Sequence, residues 1–180
     1  QYDIRGVVGK NLSEIDAYFV GKSYGTLLKR KFKKHSCVVG FDGRHTSPLY
    51  AENVIKGLME CGIDVVNIGL VPTPVVYFSL HYLNKDAGII ITASHNPAEY
   101  NGFKISGPNA TPVGADTGLL KLKELVETKE IIKVEKRGKV INGVTPETLE
   151  SLNEKQDSIC LDLRSRLVSV ELQIKELVPD

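Results

Sequence analysis

The stretch Ala87-Gly88-Ile89-Ile90-Ile91-Thr92-Ala93-Ser94-His95-Asn96-Pro97 decides how this chain is read. An uncharged apolar run passes into small polar residues and closes on a proline. That pattern predicts a buried strand opening into a tight, exposed loop. A serine at such a tip stands on a rigid strand and faces solvent or a ligand, which is where many α/β folds place their chemistry. On these residues alone, a turn in which Ser94 and Asn96 bond nearby backbone ahead of Pro97 explains the pattern more readily than a reacting serine.

Working outward, strand-like and helix-like segments alternate. Tyr2–Gly9 reads as a short strand with a turn. Ser13 caps a helix whose apolar positions Ile15, Phe19, Tyr24, Leu27 and Leu28 run to about Lys34, with Gly21 and Gly25 permitting close packing against a sheet. Cys37–Phe41 is a compact buried strand. Ser47 as cap and Pro48 at the first helical position start a second helix through Met59, which Gly62 ends. Ile63–Gly69 is a strand, Val75–Leu83 a short apolar helix, and Leu119, Leu122, Leu125 and Val126 mark a third long helix. Phe103–Ser106 follows the Ala87–Thr92 strand too soon for a helical crossover, so an antiparallel pairing is expected there. The prediction is a three-layer α/β domain over residues 1–140, with a mixed, mostly parallel sheet between helices.

Beyond Lys129 the character changes. Residues 131–143 read as an edge hairpin or a linker. From Thr145-Pro146-Glu147 a near-heptad stripe (Leu149, Leu152, Ile159, Leu163, Leu167, Val170, Ile174, Leu177) predicts an amphipathic helix or helical hairpin over 141–180. Its apolar face calls for a partner, the domain itself or another chain, through residues 145–178.

Lys plus Arg (23) nearly cancels Asp plus Glu (22), so charge argues for neither nucleic-acid nor membrane binding. The basic cluster Lys29–Lys34 suits the end of a helix. Cys37, Cys61 and Cys160 are far apart and lack metal-ligand spacing, which predicts buried thiols at the first two and a cytoplasmic setting. The chain begins at Gln1, so a fragment, or a chain short of its natural start, is expected.

Four motifs occur in order: Tyr2-Asp3-Ile4-Arg5-Gly6, Val39-Gly40-Phe41-Asp42-Gly43-Arg44, Val71-Pro72-Thr73-Pro74, and Thr92-Ala93-Ser94-His95-Asn96-Pro97-Ala98-Glu99-Tyr100-Asn101-Gly102-Phe103-Lys104. Together they resemble the first domain of the α-D-phosphohexomutases, the phosphomannomutase/phosphoglucomutase group. The resemblance implies that Ser94 is a phosphoserine that passes its phosphoryl group to a hexose 1- or 6-phosphate, of mannose or glucose, through a bisphosphorylated intermediate. It implies that the Ser94 phosphate is a ligand of Mg²⁺. It makes Arg5, His95 and Lys104 catalytic, with Lys104 a proton carrier to the sugar hydroxyl, and Tyr2, Asn96 and Arg44 substrate- or phosphate-binding. The aspartate cage for Mg²⁺ that the family keeps in its second domain has no counterpart here, and no Asp-x-Asp-x-Asp occurs. The resemblance therefore implies either a truncated mutase incomplete for catalysis or a non-catalytic first domain that binds a partner through its tail.

Overall fold

The computed structural model describes residues 3–143. Tyr2 and the expected helical tail from residue 144 onward lie outside the described residues. Strands and helices alternate as β1 (Asp3–Val7), α1 (Glu14–Leu27), β2 (Ser36–Phe41), α2 (Ser47–Met59), β3 (Asp64–Leu70), α3 (Thr73–Tyr82), β4 (Gly88–Ile91), β5 (Tyr100–Ser106), α4 (Leu120–Glu127) and β6 (Val140–Asn142). Among these residues no helix is long and apolar enough to cross a membrane.

The strands form one sheet in the order β1-β5-β4-β2-β3-β6. The pairs β4/β2, β2/β3 and β3/β6 are parallel, while β5 runs antiparallel to both β4 and β1. The mixed sheet expected from the short Ile91–Phe103 connection is thus present. Side chains alternate across it. Cys37, Val39, Ile89, Ile91, Phe103 and Ile105 join the core with residues of α1, α2 and α4. On the other face α3 packs on β2 and β4, and a Cβ at Gly40 would meet Val76 and one at Gly88 would meet Val76 and Leu80. Helices on both faces make the three layers.

Several local expectations need correcting. Ser13 does cap α1, in a reciprocal box with Asp16. The helix gives way at Leu28 to a single wide turn, Leu28–Phe32, closed by Lys33 in the left-handed region (φ 54). Gly21 approaches a helix, not the sheet: a Cβ there would lie 2.2 Å from the Val54 carbonyl oxygen of α2, and one at Gly57 would lie 2.4 Å from that of Tyr18. Ser47 does not cap α2, whose cap position is Thr46, with no side-chain capping bond to the helix. Its hydroxyl is buried and turned toward Asp42. The third long helix is the eight-residue α4, entered through a kink at Gly118. Residues 131–143 supply no hairpin: an irregular stretch leads to the parallel edge strand β6, and the compact unit runs through Gly143. Cys37 and Cys61 are free and buried, and burial pushes both thiols above their ordinary pKa.

Candidate functional site

The loop 92–99 leaves the carboxyl end of β4, beside the loop 42–46 that leaves the carboxyl end of β2. Ends of neighbouring parallel strands are where open α/β sheets bind ligands. Thr92 and Ala93 are buried, whereas Ser94 and His95 are exposed. Ser94 sits in the left-handed region (φ 58). For a residue with a Cβ that conformation costs free energy and persists only where its surroundings hold it. The Ser94 N–H is anchored on Thr92 Oγ1 at 2.9 Å, and the Asn96 N–H on the Ala93 carbonyl at 3.1 Å. The Ser94 hydroxyl is left facing outward, 3.4 Å from His95 Nδ1.

Two strands bring the basic residues to this loop. In the antiparallel β1/β5 pair, Asp3 lies opposite Lys104 and Arg5 opposite Gly102. Residues two apart share a face of a strand, so Asp3, Arg5 and Lys104 converge. One carboxylate oxygen, Asp3 Oδ2, accepts from Arg5 Nε (2.8 Å), Arg5 Nη2 (2.6 Å) and Lys104 Nζ (3.1 Å). Arg5 Nη1 reaches across to the side-chain oxygen of Asn96, two residues past Ser94. Gly102 makes room for this arrangement: a Cβ there would stand 2.2 Å from the Ile4 carbonyl oxygen and 3.1 Å from the Arg5 side chain. Burial opposes the charge on Asp3, but hydrogen bonds from Arg5 and Lys104, with their positive charges, outweigh it and hold the carboxyl below the ordinary carboxylate range. Two cations and one carboxylate leave this cluster at a net charge of +1.

Behind the loop the arrangement is different. Arg44 lies beneath it, and its side chain hydrogen-bonds Asp42 and four backbone carbonyls of the loop segment. Asp42 accepts from the Ser47 hydroxyl at 2.7 Å, and the buried Asn101 amide donates to Thr46 Oγ1 and Ser47 Oγ at 2.9 and 3.0 Å. An open hollow of about 470 Å³, lined by Asp42, Gly43, Arg44, His45, Asn96 and Ala98, borders the loop on this side. A hollow of about 500 Å³ at the β3–β6 edge is lined in part by Glu60 and Arg137 and lies far from the loop in the sheet order. Its Glu60 is engaged by Tyr18, Lys22 and Arg137, and burial with the bond to Glu60 pushes the Tyr18 hydroxyl up to about 12. That cluster fastens segments together and offers no reactive group.

The structure thus gathers Ser94, His95, Asn96, Arg5 and Lys104 at one corner. Arg44 is present as well but faces carbonyls. Asp3, Asp42 and Asn101 received no role from the sequence. For Asp3 a signal existed, since its spacing from Arg5 puts both side chains on one face of β1. For Asn101 there was none, because its partners lie at the start of α2, more than fifty residues away in sequence. The described residues do not fit a magnesium cage: a hard divalent cation takes about six oxygens, Asp3 is engaged by cations, and no cluster of three His, Cys, Asp or Glu side chains occurs among the described residues.

An exposed serine thus stands in a constrained loop at the carboxyl ends of parallel strands of an α/β domain, with Arg5 and Lys104 on the strands beside it. The family model described as phosphoglucomutase/phosphomannomutase, alpha/beta/alpha domain I, matches residues 1–132. The chain belongs to the phosphoglucomutase/phosphomannomutase family, through that first domain. It is 43% identical over 138 residues to a phosphomannomutase of Vibrio cholerae, covering 76% of this chain and 30% of that one. It is also 43% identical over 134 residues to a phosphomannomutase of Klebsiella pneumoniae, covering 74% of this chain and 83% of that one. A crystal structure of a phosphoglucomutase/phosphomannomutase family protein from Burkholderia thailandensis superposes with a TM-score of 0.71 at 33% identity, over 78% of this chain and 31% of that one. The aligned part of this chain therefore spans about a third or less of the Vibrio and Burkholderia proteins' length.

Proposed function

We propose that this chain carries the phosphoryl-transfer serine of a phosphohexomutase, which interconverts the 1- and 6-phosphates of mannose or glucose. The observation that supports it is the placement of Ser94: exposed, held in a left-handed conformation, on a loop whose Asn96 is bonded to Arg5 of the Arg5–Asp3–Lys104 cluster. A phosphate on Ser94 carries about −1.5 to −2 charge and needs cations and N–H donors around it. Phosphoryl transfer depends on positioning and charge far more than on covalent chemistry by the protein.

In the proposed cycle the Ser94 Oγ–P bond breaks as a bond forms between phosphorus and a sugar hydroxyl oxygen. That hydroxyl loses its proton to the neutral amine of Lys104, whose ammonium has first released a proton to solvent, and Ser94 Oγ regains one. His95, with Nδ1 3.4 Å away, is placed to supply it. The bisphosphorylated sugar turns over, and its other phosphate returns to Ser94 by the reverse steps. Arg5 balances the charge of the moving group, and Asn96 keeps Arg5 directed at the loop. Magnesium dependence, a cytoplasmic setting consistent with two free thiols, and a role for Tyr2 at the sugar belong to the same proposal.

The test is peptide-resolved mass spectrometry of the purified chain after incubation with a hexose 1,6-bisphosphate. One phosphoryl group on the peptide holding Ser94, absent from Ser94→Ala, is expected. A chain that takes up no phosphate, or takes it elsewhere, contradicts the proposal.

A further inference from the structure

We propose that Arg44 is a positioning residue that presents Ser94 by binding the loop's own carbonyls, and that it does not contact substrate phosphate. A guanidinium has five N–H groups, and every one of them has a protein oxygen. Nε donates to Asp42 Oδ2 at 3.2 Å. Nη1 donates to the carbonyls of Pro97 (2.7 Å) and Tyr100 (2.9 Å), and Nη2 to those of Ser94 (3.1 Å) and Asn96 (2.7 Å). No donor remains for a ligand. The side chain is only 15% exposed, and its bonds to Asp42, Tyr100 and Asn96 are part-buried, which limits competition from water.

The guanidinium is itself held. Asp42 Oδ2 accepts from its Nε, while Asp42 Oδ1 accepts from the Arg44 backbone N–H (3.1 Å) and the Ser47 hydroxyl (2.7 Å). Ser47 in turn accepts from the fully buried Asn101. The relay thus starts on β5, passes the start of α2 and ends under the loop. It joins the two ends of the loop, since Ser94 and Tyr100 converge on one side chain.

This has two consequences for Ser94. Four peptide dipoles have their negative ends drawn onto one part-buried cation, and so away from the outer face where an anion would sit. The peptide bonds here are trans, so with the Ser94 carbonyl turned to Arg44 the N–H of the same peptide, that of His95, points the opposite way. The left-handed backbone at Ser94 also has a physical holder: turning it back would pull the Ser94 carbonyl off Arg44. A lysine cannot substitute, because a point-like ammonium with three donors does not span four carbonyls set around a planar fork.

This rests on the proposed function only for its consequence on phosphoryl transfer, and its test is independent of that. Amide hydrogen exchange of the whole chain is followed at Ser94, Asn96 and Tyr100, with Ile90 and Phe103 as references in the sheet. Arg44→Met and Arg44→Lys are expected to exchange about tenfold or more faster at the three loop amides, with the two references unchanged. Guanidinium added to Arg44→Ala at millimolar concentration is expected to restore slow exchange partly, where added ammonium does not. Folded variants whose loop amides exchange as slowly as wild type overturn the proposal, as does full retention by Arg44→Lys. Ser94 phosphorylation measured on the same samples separates the two claims. A loosened loop with no phosphate in wild type leaves Arg44 as positioner and removes the mutase reading.

Discussion

Arg5 and Arg44 look alike in the sequence, each in a short motif with a nearby aspartate and glycine, yet they are engaged in opposite ways. Arg44 is saturated: one carboxylate and four backbone carbonyls face its five N–H groups. Arg5 makes three bonds, two of them to one oxygen of Asp3 and one to the Asn96 side chain. Those partners are side chains, which rotate; the carbonyls on Arg44 are main chain, which does not. The back of the loop is therefore built to stay, and the front to exchange one anionic partner for another. On the proposed function, a phosphate on Ser94 would replace Asp3 as the strongest acceptor near Arg5 and Lys104.

The largest effect expected on the front side is from Arg5→Gln. With the charge removed and the strand pairing kept, phosphoryl transfer from Ser94 to hexose monophosphate should slow by about 100-fold or more, while the melting temperature moves little, since a half-exposed ion pair contributes about 0–1 kcal/mol. A large loss of stability would show that Arg5 is a structural residue like Arg44. Gly102→Ala sharpens the contrast from beneath. A Cβ placed 2.2 Å from the Ile4 carbonyl oxygen forces β1 and β5 apart, and a cost of about 1–3 kcal/mol in chemical denaturation is expected, with Arg5 displaced. An unchanged midpoint would mean the strands have slack there.

The smallest effect is that of Asp3→Asn on pH dependence. The Asp3 carboxyl is held below its ordinary value in the folded chain. The stability it contributes is therefore fully present above the ordinary carboxylate pKa of about 4 and lost as pH falls through the lower folded value. Thermal melts from about pH 5 downward should show wild type losing stability more steeply than Asp3→Asn, with the two curves drawing together at the acid end. Parallel curves would mean that Asp3 titrates alike in both states.

Much of this was legible in the residues. The order of strands and helices follows from apolar runs and turn formers, and the antiparallel β5 from the short span after β4. Ser94, Arg5 and Lys104 were found through the ordered motifs. What could not be read were contacts between distant segments. Ser47 looks like a helix cap because serine before proline usually is one, but Asp42 and Asn101 compete for its hydroxyl and win. Gly21 and Gly57 mark where two helices touch, which their spacing alone does not distinguish from helix on sheet. β6 has three residues and is a strand only because β3 offers it an edge. Arg44 was expected at a phosphate from the family resemblance; its bonds to four carbonyls of the distant 94–100 segment could not be read from its motif.

The central claim is that the front cluster faces the Ser94 phosphate and the back cluster does not. Phosphorus-31 resonance of the phosphorylated chain, titrated with pH, tests it most directly. The second pKa of a free phosphoserine lies near about 6. With Arg5 and Lys104 beside it, the Ser94 phosphate should titrate clearly lower, and Arg5→Gln should bring it back up. A value at or above about 6 that ignores Arg5→Gln would contradict the account.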